Sequence, residues 1–388
     1  MNQSTTILVN SQSTLDALVL KLEALTDDNF ISLDTEFTRI KTYYPMLNLI
    51  QIYFDNTAYL VDPMSDCLSI SHFIKALVQT KATVLFFSGE EDLDILNNEA
   101  TKLQLTPSLP NKCVDIQLMM AFLNISYSQG LQSTLLEQIN IDLPKDQTLS
   151  DWVKRPLSQD QIMYAANDVI YLKLLYDKLI SQFKEDDIRL SWFYEEMDNF
   201  KLSYKNKNLA QTSYLSISGA GALNIKDLNV LKYLCAKRYE LATINNEALN
   251  RIITTKSLCP LARQAYVSEK TLPRVNMKWG AIKEYGSIVC KWHKEARQQK
   301  VDEDILLPYD YFSSKKEYSH YVKELRHFLT VKAEEHNIRQ ELLCNKQIAN
   351  DFFYSLKYGN KPKVFTSWYQ ECIGIIDLSI VFSEPLSL

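Results

Sequence analysis

The chain has 388 residues, 46% of them hydrophobic and 23% charged, which is typical of a globular protein of two or three domains. Only eight residues are glycine, and the one close pair, Gly219 and Gly221, is not followed by Gly-Lys-Ser/Thr; this argues against Walker NTPases and Rossmann dinucleotide enzymes, whose phosphate loops need clustered glycines. The net charge of −5, taken over the whole chain, argues against a nucleic-acid-binding protein, because such domains are usually basic.

The first segment, MNQSTTILVNSQ, has neither the basic region nor the apolar core of a secretory signal. No run of 18 apolar residues predicts a membrane span. The seven cysteines are scattered, and none forms the Cys-x-x-Cys pair of a zinc site. We therefore expect a cytoplasmic protein with reduced thiols and no membrane partner.

The first 200 residues predict an α/β domain. Short runs rich in β-branched or aromatic residues alternate with segments of helical periodicity. The runs predict strands at 30–33, 49–53, 59–61 and 83–87, and the periodic segments predict helices near 12–25, 69–79 and 91–99. From about 117 to 182 the pattern is mostly helical.

Two acidic residues lie within the first of these strands, in the segment FISLDTEF. Residues two apart on a strand point to the same face, so Asp34 and Glu36 would present their carboxylates side by side. Two such charges repel unless a cation lies between them, and oxygen ligands of this kind suit Mg²⁺ or Mn²⁺. Taken alone, the pair is more typical of a solvated strand edge.

Two later motifs strengthen the metal interpretation. Asp92 lies where the apolar run TVLFF gives way to an acidic helix start, and Tyr164 and Asp168 are four apart on one face of a predicted helix. Four carboxylates can hold two divalent ions for in-line attack on a phosphodiester, with the tyrosine orienting the water. The only histidine among the first 200 residues is His72, so a histidine base is not expected at the third motif.

At these motifs the sequence resembles the ribonuclease D family, DEDD-type 3′→5′ exonucleases with a tyrosine in the third motif. The first motif and its continuation match at 33–37, 42–45 and 47–52, and the second matches at GEEDLDIL. The third matches from Asp151 to Leu172, including the Asp-Trp and Arg-Pro-Leu signatures. One departure is Phe87-Ser88-Gly89, where the family often has His-Ala or His-Gly.

The resemblance implies an α/β ribonuclease H-like exonuclease domain, with a mixed sheet flanked by helices, followed by two small all-α HRDC-type domains. It implies that Asp34 bridges two divalent metal ions, with Glu36 and Asp168 completing one site. Asp92 would serve the second ion, and Tyr164 would position the water.

Composition and periodicity suggest where these domains begin and end. Residues 205–224 are polar and weakly periodic, and an acidic run interrupts the helical pattern at 301–311. We predict an exonuclease domain (1–204), a linker (205–223), a first HRDC domain (224–298), a second linker (299–312), a diverged second HRDC-like domain (313–376) and a C-terminal tail (377–388).

Charge is unevenly distributed: residues 1–200 carry −14, residues 201–300 carry +12 and residues 301–388 carry −3. Lysine and arginine interleaved with aromatics can contact phosphates and stack on bases. A solvated helical surface, or a basic complement to the acidic domain, would give the same composition. By local density the candidate nucleic-acid-binding residues are Lys237, Arg238, Lys278, Lys283, Lys291 and Lys294, with the aromatics Tyr239, Trp279, Tyr285 and Trp292 between them.

The sequence therefore predicts a divalent-metal-dependent 3′→5′ exoribonuclease that trims RNA 3′ ends and releases 5′-mononucleotides. The resemblance implies tRNA precursors and other structured RNA as substrates, and we expect a monomer. A DNA 3′→5′ exonuclease is the alternative enzyme, because the motifs do not distinguish RNA from DNA. A non-catalytic RNA-binding scaffold on the same fold is the alternative outside catalysis.

Overall fold

The computed structural model describes residues 4–66, 68–144, 150–205, 209–313, 318–344, 348–349, 352 and 367–374. The chain divides into two compact units. The first contains residues 1–38, 45–205 and 333–342, and the second contains residues 39–44, 206–332 and 343–388. Within the described ranges, no helix combines the length and the apolar character needed to cross a membrane.

The first unit is built on a six-stranded mixed sheet. Its strands are β1 (Thr5–Val9), β2 (Phe30–Thr38), β3 (Met46–Phe54), β4 (Thr57–Val61), β5 (Thr83–Phe86) and β6 (Cys113–Asp115). They lie in the order β1-β4-β3-β2-β5-β6. β3 pairs antiparallel with both β2 and β4, and the other pairs are parallel. The predicted mixed sheet flanked by helices is confirmed.

Helices of the first unit connect and cover these strands. They are α1 (Gln12–Glu23), α2 (Ser71–Val78), α3 (Glu90–Lys102), α4 (Ile116–Phe122), α5 (Leu131–Ile139), α6 (Gln159–Ile170), α7 (Leu172–Ile180) and α8 (Ile188–Lys205). α6 packs on β2, β3 and β4, where Ala165, Ala166 and Val169 are buried. Because α6 carries the third motif, this packing brings the motif against the face of the sheet formed by β2, β3 and β4.

The strands predicted at 30–33, 49–53, 59–61 and 83–87 are β2 to β5, and the helices predicted near 12–25, 69–79 and 91–99 are α1 to α3. Two strands were not predicted. β6 has only three residues, too few for a periodic signal, and β1 is an edge strand whose first four residues are exposed or half-buried. Both occupy the ends of the sheet, where the hydrophobic pattern is weakest.

The second unit is helical. Among the described residues its helices are α9 (Leu209–Thr212), α10 (Ile225–Asn245), α11 (Leu249–Ile252), α12 (Thr255–Arg263), α13 (Trp279–Gln298), α14 (Asp310–Ser313), α15 (Tyr318–Glu335) and α17 (Trp368–Ile373). The short helix α16 (Gln340–Leu343) precedes α17 in the chain, and residues 333–335 of α15 and 340–342 of α16 belong to the first unit. The hydrophobic core of the second unit is formed mainly by buried side chains of α10, α12 and α13, and both α12 and α13 pack against α10.

Both segments predicted as linkers contribute to this core. From 205–223, Tyr214 and Ile217 are buried, and from 299–312, Ile305 and Leu307 are buried. The glycine pair that stood out in the sequence joins these two segments: the amide of Gly221 donates to Asp310 Oδ1 at 2.7 Å, and a Cβ there would lie 2.5 Å from the backbone of Tyr311. The described part of the first of these segments, residues 209–223, is therefore folded despite its polar composition and contributes side chains to the core.

The predicted second HRDC-like domain (313–376) is described only in part. Residues 314–317, 345–347, 350–351 and 353–366, and the whole of the predicted tail (377–388), lie outside the described residues. Residues 333–342 belong to the first unit, where the amide of Arg339 donates to the carbonyl of Ala121 at 2.9 Å. The segment 313–376 is therefore divided between the two units.

Candidate active site

Three carboxylates from two elements meet on one face of the sheet. Asp34 and Glu36 occupy alternate positions of β2, and Asp168 lies on α6. One ligand atom from each residue lies within 4.8 Å of the other two. The predicted alternation on the strand and the predicted helical motif therefore come together as expected. We call these three residues the acidic cluster.

A β-bulge follows the second carboxylate. Glu36 pairs with Leu49 and Phe37 pairs with Leu47, so Asn48 is the extra residue on β3. The side-chain amide of Asn48 is oriented so that both its oxygen and its nitrogen have hydrogen-bond partners. In this orientation the oxygen accepts hydrogen bonds from the hydroxyl (2.5 Å) and the backbone N–H (3.1 Å) of Thr38. Bulges of this kind bend a strand and redirect side chains beside active sites.

The electrostatics of the acidic cluster favour a bound cation. Burial raises the pKa of Asp34 well above its usual value, the Asp168 carboxylate raises it further, and a hydrogen bond with the backbone of Thr35 opposes the rise. Carboxylates this close are stable in the ionised form when a cation lies between them, and an oxygen-only donor set fits Mg²⁺ or Mn²⁺. The residues present thus fit a divalent ion.

Asp92 is not one of the three members of the acidic cluster. Its side chain is buried, and its Oδ1 accepts a hydrogen bond from the Thr35 hydroxyl at 2.5 Å. Burial raises the pKa of Asp92 well above its usual value, and the neighbouring Asp34 adds to the rise. The second motif is therefore close enough to Asp34 to interact with it electrostatically.

The turn before α3 is fixed by a residue that the sequence analysis did not identify. Asp115 accepts hydrogen bonds from the amides of Ser88 (3.1 Å) and Gly89 (2.9 Å), and it also caps α4. At Gly89 a Cβ would lie 2.5 Å from the side chain of Phe86. Asp115 and Gly89 together determine where α3 begins and thus where Asp92 lies.

Tyr164 lies one turn before Asp168 on α6, which begins with a capping box formed by Ser158 and Gln161. The ring of Tyr164 lies 6.1 Å from that of the buried Trp152, at an interplanar angle of 44°. A cavity of about 310 Å³ is lined by Tyr164, Asp168 and the start of α5. The tyrosine is therefore held at the side of a cavity that reaches the acidic cluster.

The predicted basic residues of the second unit differ in exposure. Lys278, Lys283, Lys291 and Lys294 are exposed, and Lys237 forms an ion pair with Glu240 at 2.7 Å. Arg238 is buried, contrary to the prediction that it contacts nucleic acid; it donates to the carbonyl of Leu249 (3.1 Å) and to Asn250 Oδ1 (3.0 Å), and burial lowers its pKa to about 10. Its guanidinium therefore stabilises the helical unit.

The four aromatic residues between them also separate into two groups. Tyr285 and Trp292 are in the core of the helical unit, and Tyr239 packs edge-on against Tyr43 with ring centroids 5.4 Å apart. Trp279, at the start of α13, is 73% exposed. Among these four, Trp279 is the aromatic with a ring accessible for stacking on a base.

Comparison with known proteins gives matches over most of the chain. A family model described as 3′-5′ exonuclease matches residues 6–184. The ribonuclease D of Pseudomonas paraeruginosa is 32% identical over 60% of this chain and 60% of its own length, and that of Escherichia coli is 28% identical over 93% of this chain and 95% of its own. The crystal structure of E. coli RNase D, an exoribonuclease involved in structured RNA processing, matches with a TM-score of 0.82 at 24% identity, covering 97% of both chains.

Proposed function

Because the chain belongs to the ribonuclease D family and is a 3′→5′ exoribonuclease, we propose that it trims RNA 3′ ends by hydrolysis with two bound divalent ions, Mg²⁺ or Mn²⁺, and releases 5′-mononucleotides. The observation that carries the proposal is the convergence of Asp34, Glu36 and Asp168 within 4.8 Å. The family resemblance expected from the three motifs is confirmed.

The side chains would divide the work as follows. Asp34, Glu36 and Asp168 hold one ion, and Asp34 and Asp92 hold the other. Divalent ions bound in this way supply an activated water and stabilise the leaving oxygen. Tyr164 orients the attacking water from the side of the cavity.

RNA is the proposed substrate, with tRNA precursors and other structured 3′ ends as the class that the family resemblance implies. The relative from E. coli is described as acting in structured RNA processing. In the second unit we propose that the exposed Lys278, Lys283, Lys291 and Lys294, and Lys237 beside Glu240, contact phosphates and that Trp279 stacks on a base. We propose that the chain acts as a monomer.

The test is digestion of 3′-end-labelled precursor tRNA, and of DNA of the same sequence, with Mg²⁺ or Mn²⁺ titration and with EDTA. Asp34→Asn and Asp168→Asn should each lower hydrolysis on the order of 10³-fold or more, because each removes a metal-binding charge. RNA binding should persist in both variants. Asp160→Asn, an exposed position on the same helix as Asp168, is the matched control and should keep wild-type activity.

Each alternative has its own outcome in this assay. Preferential digestion of DNA would favour the DNA exonuclease, and RNA binding without metal-dependent hydrolysis would favour the scaffold. Full activity of Asp34→Asn would contradict the assignment of the metal-binding residues.

A further inference from the structure

Arg155 and Asp62 form an ion pair in the first unit. Asp62 directly follows β4 and is buried, and the Arg155 side chain is 25% exposed. Nε of Arg155 donates to Asp62 Oδ2 at 2.6 Å, and Nη2 donates to Oδ1 at 2.6 Å. Two parallel hydrogen bonds of this kind fix the orientation of the guanidinium as well as its position.

The remaining donors of the guanidinium are also used within the protein. Nη1 donates to the carbonyls of Trp152 (2.8 Å) and Lys154 (3.0 Å), and Nη2 donates to the carbonyl of Asn48 (2.7 Å). A guanidinium has five N–H donors, and these contacts use all five. Arg155 therefore has no donor left for an RNA phosphate, and its role lies in what it holds together.

The contact with Asn48 affects the backbone beside Glu36. Asn48 is the bulge residue of β3, and the bulge interrupts the register between Glu36 and Phe37. Because Arg155 binds the carbonyl of Asn48, it fixes the backbone of the strand directly opposite this carboxylate. A shift of the bulge would change the direction in which Glu36 points.

The contact with Trp152 affects the surroundings of Tyr164. The Arg155 guanidinium holds the backbone of Trp152, whose buried ring packs with Leu49 and lies 6.1 Å from the ring of Tyr164. Leu49 is the residue paired with Glu36. The same guanidinium thus connects β3, the strand paired with the one that carries Glu36, with Trp152, which packs beside Tyr164.

We infer that Arg155, anchored by Asp62, is a positioning residue that holds Glu36 and Tyr164 in the geometry that hydrolysis requires. The inference rests on the proposed function, since it assigns Glu36 to the metal and Tyr164 to the water. Residues that orient metal ligands in this indirect way typically contribute about 10- to 100-fold to metal affinity or activity.

The experiment compares Arg155→Lys and Asp62→Asn with the wild-type full chain. Lysine keeps the charge but lacks the planar fork of five donors, so it cannot hold all four acceptor residues. Both variants should lower kcat on 3′-labelled RNA about 10- to 100-fold and weaken Mn²⁺ binding measured by calorimetry, with KM for RNA unchanged. The Mn²⁺ affinity is a readout that does not depend on hydrolysis.

Arg189→Lys is the matched control. Arg189 forms the same bidentate pair with Asp187 (2.9 and 2.6 Å) and donates to the carbonyl of Asn337 at 3.0 Å, and its side chain is 14% exposed. Arg189→Lys should lower the thermal stability about as much as Arg155→Lys does, but it should leave kcat and Mn²⁺ affinity unchanged.

Wild-type kcat and Mn²⁺ affinity in Arg155→Lys and Asp62→Asn would overturn the inference. So would an equal loss of both quantities in Arg189→Lys, because the effect would then be one of general stability. If the wild type itself hydrolyses no RNA, the proposed function fails, and the Mn²⁺ affinities of the same variants still decide whether Arg155 positions Glu36.

Discussion

The ionisation of Asp34 and of Asp92 links the candidate active site to the stability of the fold. Burial raises the pKa of both carboxyl groups, and their nearest acidic neighbours raise it further. An aspartate in the unfolded chain has a pKa near 3.9. The metal-free fold therefore favours the protonated form of both groups and becomes less stable when they must ionise.

We predict that the free energy of unfolding of the metal-free chain falls as pH rises above about 4, through the raised pKa values of Asp34 and Asp92. The sign follows because the folded state binds more protons than the unfolded state in this range. Urea unfolding in EDTA at several pH values measures the effect. Asp34→Asn should flatten the dependence, and added Mn²⁺ should reverse it; a stability that rises with pH in EDTA would contradict the pKa directions.

At the scale of elements, the start of α3 depends on a residue without a side chain. Gly89 directly precedes the helix, and a Cβ there would lie 2.5 to 2.9 Å from side-chain atoms of Phe86, which is fully buried in β5. Ser88 adopts a positive φ of 60°, and Asp115 holds both amides of the turn. The turn has little room to adapt, so a change at Gly89 should move α3 and with it Asp92.

We predict that Gly89→Ala lowers the free energy of unfolding by about 1–3 kcal/mol, the typical cost of overpacking, and also lowers kcat. Gly130→Ala is the stability control, because Gly130 has a negative φ and no atom lies within 4 Å of its Cβ position. Chemical denaturation of the two variants measures the difference. Equal stability of both would mean that Phe86 moves aside at no cost.

The elements also show what the sequence could predict and what it could not. Alternation on β2 predicted that Asp34 and Glu36 share a face, and helical spacing predicted the pairing of Tyr164 with Asp168, because both are properties of local geometry. The contact between Arg155 and Asp62 joins residues 93 positions apart, and only the folded sheet brings them together. No local pattern carries that information.

The prediction that Arg238 contacts nucleic acid failed for a different reason: the helical periodicity of α10 already places Arg238 on the buried face. Leu231, Leu234, Cys235 and Ala242 are buried on one face of α10, and Arg238 lies on that same face at helical spacing. The prediction counted local charge and did not consider the phase of the helix. On α13 the same consideration places Tyr285 and Trp292 on the buried face.

At the scale of the whole molecule, the net charge of −5 is an average over regions of opposite sign: −14 for residues 1–200 and +12 for residues 201–300. The acidic cluster needs cations, and phosphate contacts need exposed lysines. The mean charge of the chain therefore carries little information about nucleic-acid binding, and its distribution along the sequence carries more.

We therefore predict that RNA binding by the full chain depends on salt through the second unit. Binding is measured in the Asp34→Asn background, in which hydrolysis is deficient. There the double substitution Lys278→Gln/Lys283→Gln should weaken RNA binding and reduce the slope of log K against log salt by about 1.4. This corresponds to about 0.7 for each single-strand phosphate that the protein no longer neutralises. Trp279→Ala should weaken binding by about 1–3 kcal/mol with little change of slope, since stacking releases no counterions. Lys102→Gln, an exposed lysine of the acidic unit paired with Glu99, is the control and should leave both quantities unchanged. An unchanged slope in the double variant would instead favour a helical surface that is merely solvated.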